Sequence, residues 1–114
     1  MLKKELRIRK QKDFENIYSK GVYCSEGFLA VKFIGNKELF SRFGFIVSKK
    51  ISKKAVERNR IKRILRESIR LSKSQIKKGY DIILITRNGI ESRTYREISN
   101  TVEKLLMKSG LLKK

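Results

Sequence analysis

Arg58, Asn59, Arg60, Lys62, Arg63, Arg66 and Arg70 stand in one short stretch, and the chemistry open to such side chains is phosphate recognition. A guanidinium forks onto phosphate oxygens in pairs, while a lysine ammonium acts as a point charge. The stretch, KKISKKAVERNRIKRILRESIR from Lys49 to Arg70, holds ten of the chain's thirty basic residues and two acids, Glu57 and Glu67. Wound at 3.6 residues per turn, it places Ile61, Ile64, Leu65 and Ile69 on one side. Asn59, Lys62, Arg63, Arg66 and Arg70 fall roughly opposite. A helix that merely faces water interleaves acids for i, i+4 pairing, and this front does not. Asn59 adds a group that both donates and accepts, suited to sugar hydroxyls or base edges. Lys49, Lys50, Lys53 and Lys54 extend the positive path toward the preceding strand.

Other chemistries are poorly supplied. With no His and the single Cys24, neither a Cys/His zinc site nor a Cys–His nucleophile pair can be assembled. The only aspartates, Asp13 and Asp81, are far apart and read as a cap and a strand-start residue. No catalytic residue and no metal-ligand set is expected in this chain. Cys24 reads as a small buried strand residue without a disulfide, in keeping with a reducing cytosol. The start, MLKKELRIRK, lacks the apolar region of a secretory signal, and no run approaches the roughly 18 apolar residues of a membrane span.

A formal charge of +19 implies a polyanionic partner, because self-repulsion opposes the compact state. An anionic membrane fits less well than nucleic acid, since the bulky apolar residues are needed for a core. A helix in a DNA major groove is conceivable, yet the chain offers no helix-turn-helix partner. Aromatics on a sheet beside a cationic helix instead suit single-stranded nucleotides. Phe14, Tyr18, Phe28 and Phe45 are the candidates, with core packing the competing reading of Phe14 and Tyr18.

The elements that must carry these residues follow from periodicity. At 114 residues the chain suits one domain, residues 1–114, whose first eleven form a basic arm bearing Leu2, Leu6 and Ile8. A short helix is expected over Asp13–Ser19, ended by a left-handed Gly21. Strands are expected over Val22–Ser25, Phe28–Ile34 and Arg42–Ser48, the last two as an antiparallel hairpin through Gly35-Asn36. The third strand alternates Phe43, Phe45, Val47 with Gly44, Ile46, Ser48. Ser52 is expected to cap the basic helix. After a connector over Ser72–Gly79, the apolar run Tyr80–Thr86 reads as a strand covered on both faces. A last helix opens on the capping box Thr94…Glu97, carries Ile98, Val102, Leu105 and Leu106 inward, and closes at Gly110. The order αβββαβα is an α/β (α+β) two-layer sandwich, a four-stranded sheet packed by helices.

VSKKISKKAVERNRIKRILRE resembles the signature of the bacterial ribonuclease P protein subunit. The likeness extends to the DF-x-x-I-Y opening helix, the R-x-G-x-x-V-S strand and the DIILITR strand. It implies a mixed sheet with a left-handed crossover into the signature helix, against the general handedness rule. It implies a partnership with a large catalytic RNA and removal of the 5′ leader from precursor tRNA, in the cytoplasm and without an obligate protein partner. Arg58, Asn59, Arg60, Lys62, Arg63, Arg66, Arg70 and Lys50 would then face the catalytic RNA. A cleft between the first helix and the sheet would take the leader, lined by Phe14, Tyr18, Phe28, Phe45 and Val47. Ser48, Lys49 and Arg87 would lie near its cleavage-proximal end. The Mg2+ of the holoenzyme would be held mainly by RNA, leaving the protein inactive alone. Ser52-Lys53-Lys54 replaces the Gly-containing turn of many relatives, so the helix entry is expected to differ. The alternatives are a ribosomal-type or general RNA-binding protein without a processing role, and a self-sufficient nuclease.

Overall fold

The structure, a computed structural model, describes residues 6–8 and 10–113. Three helices, α1 (Gln11–Lys20), α2 (Ala55–Ser72) and α3 (Tyr95–Lys108), pack on four strands. These are β1 (Val22–Glu26), β2 (Leu29–Gly35), β3 (Arg42–Ile46) and β4 (Tyr80–Thr86), ordered β1-β2-β4-β3 across the sheet. β4 is antiparallel to β2 and parallel to β3, so the sheet is mixed. Its near-continuous apolar run explains the central position. Ile82, Ile83 and Leu84 are fully buried, so both faces of the strand are covered.

That central strand overturns the expected hairpin of β2 with β3. The antiparallel hairpin is β1–β2, turning at Gly27 with φ +56°, and β4 inserts between β2 and β3. The Gly35-Asn36 turn leads elsewhere. The Asn36 amide donates to the Gly79 carbonyl at 2.9 Å and its side chain donates to Asp81, tying the end of β2 to the start of β4.

The two sheet faces carry different cores. α2 and α3 cover one, where Leu29, Val31, Phe43, Ile61, Leu65, Ile82, Leu84, Val102 and Leu106 meet. α1 covers the other, smaller one, centred on Ile8, Ile17 and Ile83. The basic arm joins the fold earlier than expected. Leu6 and Ile8 are buried, and the Ile8 amide donates to the Phe43 carbonyl at 2.7 Å, extending the sheet beyond β3. Leu2 lies outside the described residues.

Helix ends show what local signals convey. The capping box of α3 forms as expected, with Thr94 Oγ1 accepting from the Glu97 amide and the Glu97 carboxylate accepting from the Thr94 amide. Gly110 closes the helix at φ +80°. Two expectations fail. Gly21 is extended, not left-handed; glycine is required because a Cβ would stand 2.5 Å from the Ile17 carbonyl oxygen. Ser52 is not the N-cap of α2. Lys54 holds that position without a side-chain cap, and Ser52 Oγ accepts from the Lys54 amide one turn earlier.

Candidate RNA interface

α2 presents the expected two faces. Ile61, Ile64, Leu65 and Ile69 are buried, joined by Ser68, whose hydroxyl donates to the Ile64 carbonyl at 2.9 Å. Asn59 and Arg63 are exposed, and Arg60, Lys62 and Arg66 are half-buried. The five ion pairs among the described residues use Arg42 twice, Arg70, Arg93 and Lys108, so Arg60, Lys62, Arg63 and Arg66 keep their charge uncompensated. Two predicted contacts have internal duties. Arg58 donates to the Ser52 carbonyl at 2.9 Å, bracing the loop that enters the helix. Arg70 pairs with Glu67 one turn back, an interaction that holds the Glu67 carboxyl below its ordinary range.

The cationic front leans over the β3 edge and meets the N-terminal segment. Arg7, Ile8, Phe14, Phe43, Gly44, Phe45, Lys62 and Arg66 enclose a cleft of about 300 Å³. Arg7 and Arg66 both line it, and the Nε atom of each is buried with no hydrogen-bond partner. Burying an unpaired charged donor costs free energy, and no carboxylate lines the cleft to compensate. The Arg66 guanidinium also stacks 5.9 Å from the Phe45 ring. Arg7 was not among the sequence-derived site residues. Its one signal was membership of a basic arm, which says nothing about where the arm lies.

Strand alternation divides the expected leader cleft. Phe14 and Tyr18 lie on the α1 face. Phe45 sits opposite Leu84 in the register and packs, with Phe28 and the 7%-exposed Val47, on the core beneath α2 and α3. These five side chains therefore do not line one groove: Val47 is a core residue, Phe28 lies under the Arg93 guanidinium at 5.2 Å, and Phe45 reaches the cleft only at the sheet edge. The α1 face instead carries Gly44 and Ile46 from β3, Ile83 and Ile85 from β4, Lys32 from β2 and Tyr23 from β1. Lys32 Nζ donates to the Tyr18 carbonyl at 2.6 Å and lies 5.0 Å from the centre of its ring. Partial burial pushes the Tyr18 phenol up, so it stays protonated at neutral pH. Lys32 could have been flagged, because it is the one charge inside the apolar strand LAVKFIG.

At the carboxyl ends of the parallel pair β3/β4, Ser48, Lys50, Thr86, Arg87 and Asn88 line a polar hollow of about 350 Å³ with Gly27 and Ile51. Such crevices outside the carboxyl ends of parallel strands are where open α/β sheets take ligands. Thr86 donates to the Ile46 carbonyl and the Arg87 amide to the Phe28 carbonyl, fixing the rim. Lys49 is exposed in the adjoining turn, which the Ile51 amide closes onto the Ser48 carbonyl. The two hollows thus flank the β3 strand.

Among the described residues no cluster of three His, Cys, Asp or Glu side chains is close enough to hold a metal. Asp13 and Asp81 come together in space, yet both turn to Arg42. Among the described residues no helix is long and apolar enough to cross a membrane.

Comparison with known proteins agrees with these features. The ribonuclease P family model matches residues 2–110. The ribonuclease P protein component of Alkaliphilus oremlandii is 40% identical over 106 residues, 93% of this chain and 92% of that one. Its counterpart in Clostridium botulinum is 39% identical over 109 residues, 95% and 97% of the two chains. Among solved structures, a Staphylococcus aureus RNase P protein mutant with defective mRNA degradation activity superposes with a TM-score of 0.89 at 38% identity, over 95% of this chain and 91% of that one. The Thermotoga maritima RNase P protein gives 0.83 at 31%, over 90% and 96%. The chain belongs to the ribonuclease P protein family and is an RNA-binding component of the tRNA-processing ribonucleoprotein.

Proposed function

We propose that the protein works through two surfaces that meet at the β3 edge. The front of α2, with Asn59, Arg60, Lys62, Arg63 and Arg66, docks the catalytic RNA, aided by Lys50 at the helix entry. The α1 face, with Phe14 and Tyr18, holds the unpaired 5′ leader of precursor tRNA in extended form. Ser48, Lys49 and Arg87 lie at the end of that path nearest the scissile bond. Phosphodiester hydrolysis belongs to the RNA and the Mg2+ it holds, and the protein alone does not cleave. Its action is in the cytoplasm, with precursor tRNA.

The observation that carries this reading is the cleft where Arg7, Lys62 and Arg66 converge without an acid. Arg7, Lys62 and Arg66 enter none of the ion pairs among the described residues, so their charge is left for phosphate oxygens to neutralise. Phe14 and Phe45 on its walls suit a nucleotide better than a free anion.

Incubation of precursor tRNA with protein alone, catalytic RNA alone at modest Mg2+, and both together tests the division of labour. Expected is leader release by the RNA, accelerated by the protein, and none by the protein alone. Cleavage by protein alone would establish a self-sufficient nuclease. An RNA turnover indifferent to the protein would leave a general RNA binder.

A further inference from the structure

α1 carries Phe14 and Tyr18 but is weakly rooted by apolar contact. Among its ten residues only Ile17 is fully buried. A helix this short has little stability of its own, so its position over the sheet depends on what fastens it. Two polar contacts do so, one at each end.

At the amino end, Asp13 Oδ2 lies 3.5 Å from Arg42 Nη1. Arg42 is itself held on the sheet by a two-pronged contact with Asp81, Nε to Oδ1 at 2.9 Å and Nη2 to Oδ2 at 2.6 Å. Asp81 is 6% exposed, and Asn36 donates to its Oδ1 at 2.9 Å, so the anchor is rigid. At the carboxyl end, the Lys32 ammonium donates to the Tyr18 carbonyl and lies against its ring. Between these points Phe14 rests directly on the β3 backbone: a Cβ on Gly44 would stand 2.9 Å from two carbons of its ring.

We propose that Asp13 and Lys32 are positioning residues that clamp α1 over the sheet and thereby set the gap in which a single-stranded RNA segment is held. The inference rests on the leader-binding reading of the α1 face. It explains why a chain of charge +19 keeps an aspartate at the mouth of a surface meant for a polyanion. On electrostatics alone Asp13 repels RNA, and its removal should tighten binding. If Asp13 acts through Arg42 to seat α1, its removal should weaken binding. The two accounts predict opposite signs.

The test uses the holoenzyme reconstituted with its catalytic RNA and measures Kd for precursor tRNA with and without a leader. For Asp13→Asn we expect about a two- to fivefold loss of affinity for the leader-bearing substrate, the range of a partly exposed ion pair. Leaderless tRNA should bind unchanged, and Asp13→Glu should restore the preference. Lys32→Met, which keeps the alkyl stem, should lower the same ratio while leaving the salt slope of binding unaltered. A slope reduced by about one would mean that Lys32 touches a phosphate directly. Tighter or unaltered leader binding by Asp13→Asn, or an equal loss with both substrates, would overturn the clamp. Phe14→Ala, run in parallel, separates the two failures. If it lowers the leader preference and Asp13→Asn does not, the clamp alone is wrong. If neither changes it, the leader-binding reading falls too.

Discussion

Arg66 has three neighbours at once: its guanidinium lies over Phe45, its side chain lines the cleft shared with Arg7, and its helix turn sits above the buried Leu65. Arg66→Ala should therefore weaken assembly with the catalytic RNA by about 1.5–3 kcal/mol, the range of a charge-assisted hydrogen bond. Phe45 shares that fate more than Phe14's. Because its ring faces the α2 core, Phe45→Ala should lower stability by about 2–3 kcal/mol, somewhat less than a fully buried Phe. It should also impair RNA assembly by freeing Arg66, and leave the ratio of leader-bearing to leaderless affinity intact. Thermal melting and filter binding with the two substrates check this. A selective loss of leader affinity would return Phe45 to the leader path.

At the scale of the element, α3 contributes no cation to the cleft, yet its seat fixes the core on which α2 rests. Its start depends on the reciprocal pair Thr94 and Glu97. Hydrogen bonding to the Thr94 backbone, then to the side chains of Arg93 and Thr94, holds the Glu97 carboxyl below its ordinary value. A carboxyl with a depressed folded-state pKa contributes stability that is present above its unfolded value and lost as pH falls through the folded one. Thermal melts should thus show a decrement below the ordinary glutamate range that Glu97→Gln removes. Thr94→Ala should cost about 1 kcal/mol at neutral pH. A melt of Glu97→Gln with the same acid dependence as the parent would assign the effect to other carboxyls. α2, by contrast, starts on Lys54 with no side-chain cap and with Lys53 beside it, a positive helix end in a positive neighbourhood. That start opposes stability in the free protein and favours a phosphate partner.

For the whole molecule, charge is the governing quantity. If the α2 front and its flanks displace on the order of six counterions, affinity for the catalytic RNA should fall roughly a thousandfold between 50 and 200 mM salt. Filter binding at constant Mg2+ measures the slope; a flat response would mean that shape and stacking, not charge, hold the complex. The architecture makes such a charge tolerable. Cations gather on α2, at the carboxyl ends of β3 and β4 and on the N-terminal segment, while Asp13 and Asp81 are spent together on Arg42.

Much of this was legible in residue order alone because it is local. The two faces of α2 follow from a 3.6-residue period, the bounds of β4 from a near-continuous apolar run, and the start of α3 from a capping pair three residues apart. The signature around Arg58-Asn59-Arg60 pointed to the family for the same reason: it is contiguous. What local order could not convey was adjacency. A period of two divides a strand into two sides without saying which side meets α1, so Val47 and Phe28 were joined to Phe14 and Tyr18 across a sheet that separates them, and Phe45 meets Phe14 only at the sheet edge. Insertion of β4 between β2 and β3, the convergence of Arg7 and Arg66 on one cleft and the meeting of Asp13 with Asp81 at Arg42 all join residues distant in the chain. Sequence by itself determined the elements and the chemistry they carry. Tertiary structure alone decided which of those groups share a cleft, because burial of the apolar faces, and not chain order, chooses the neighbours.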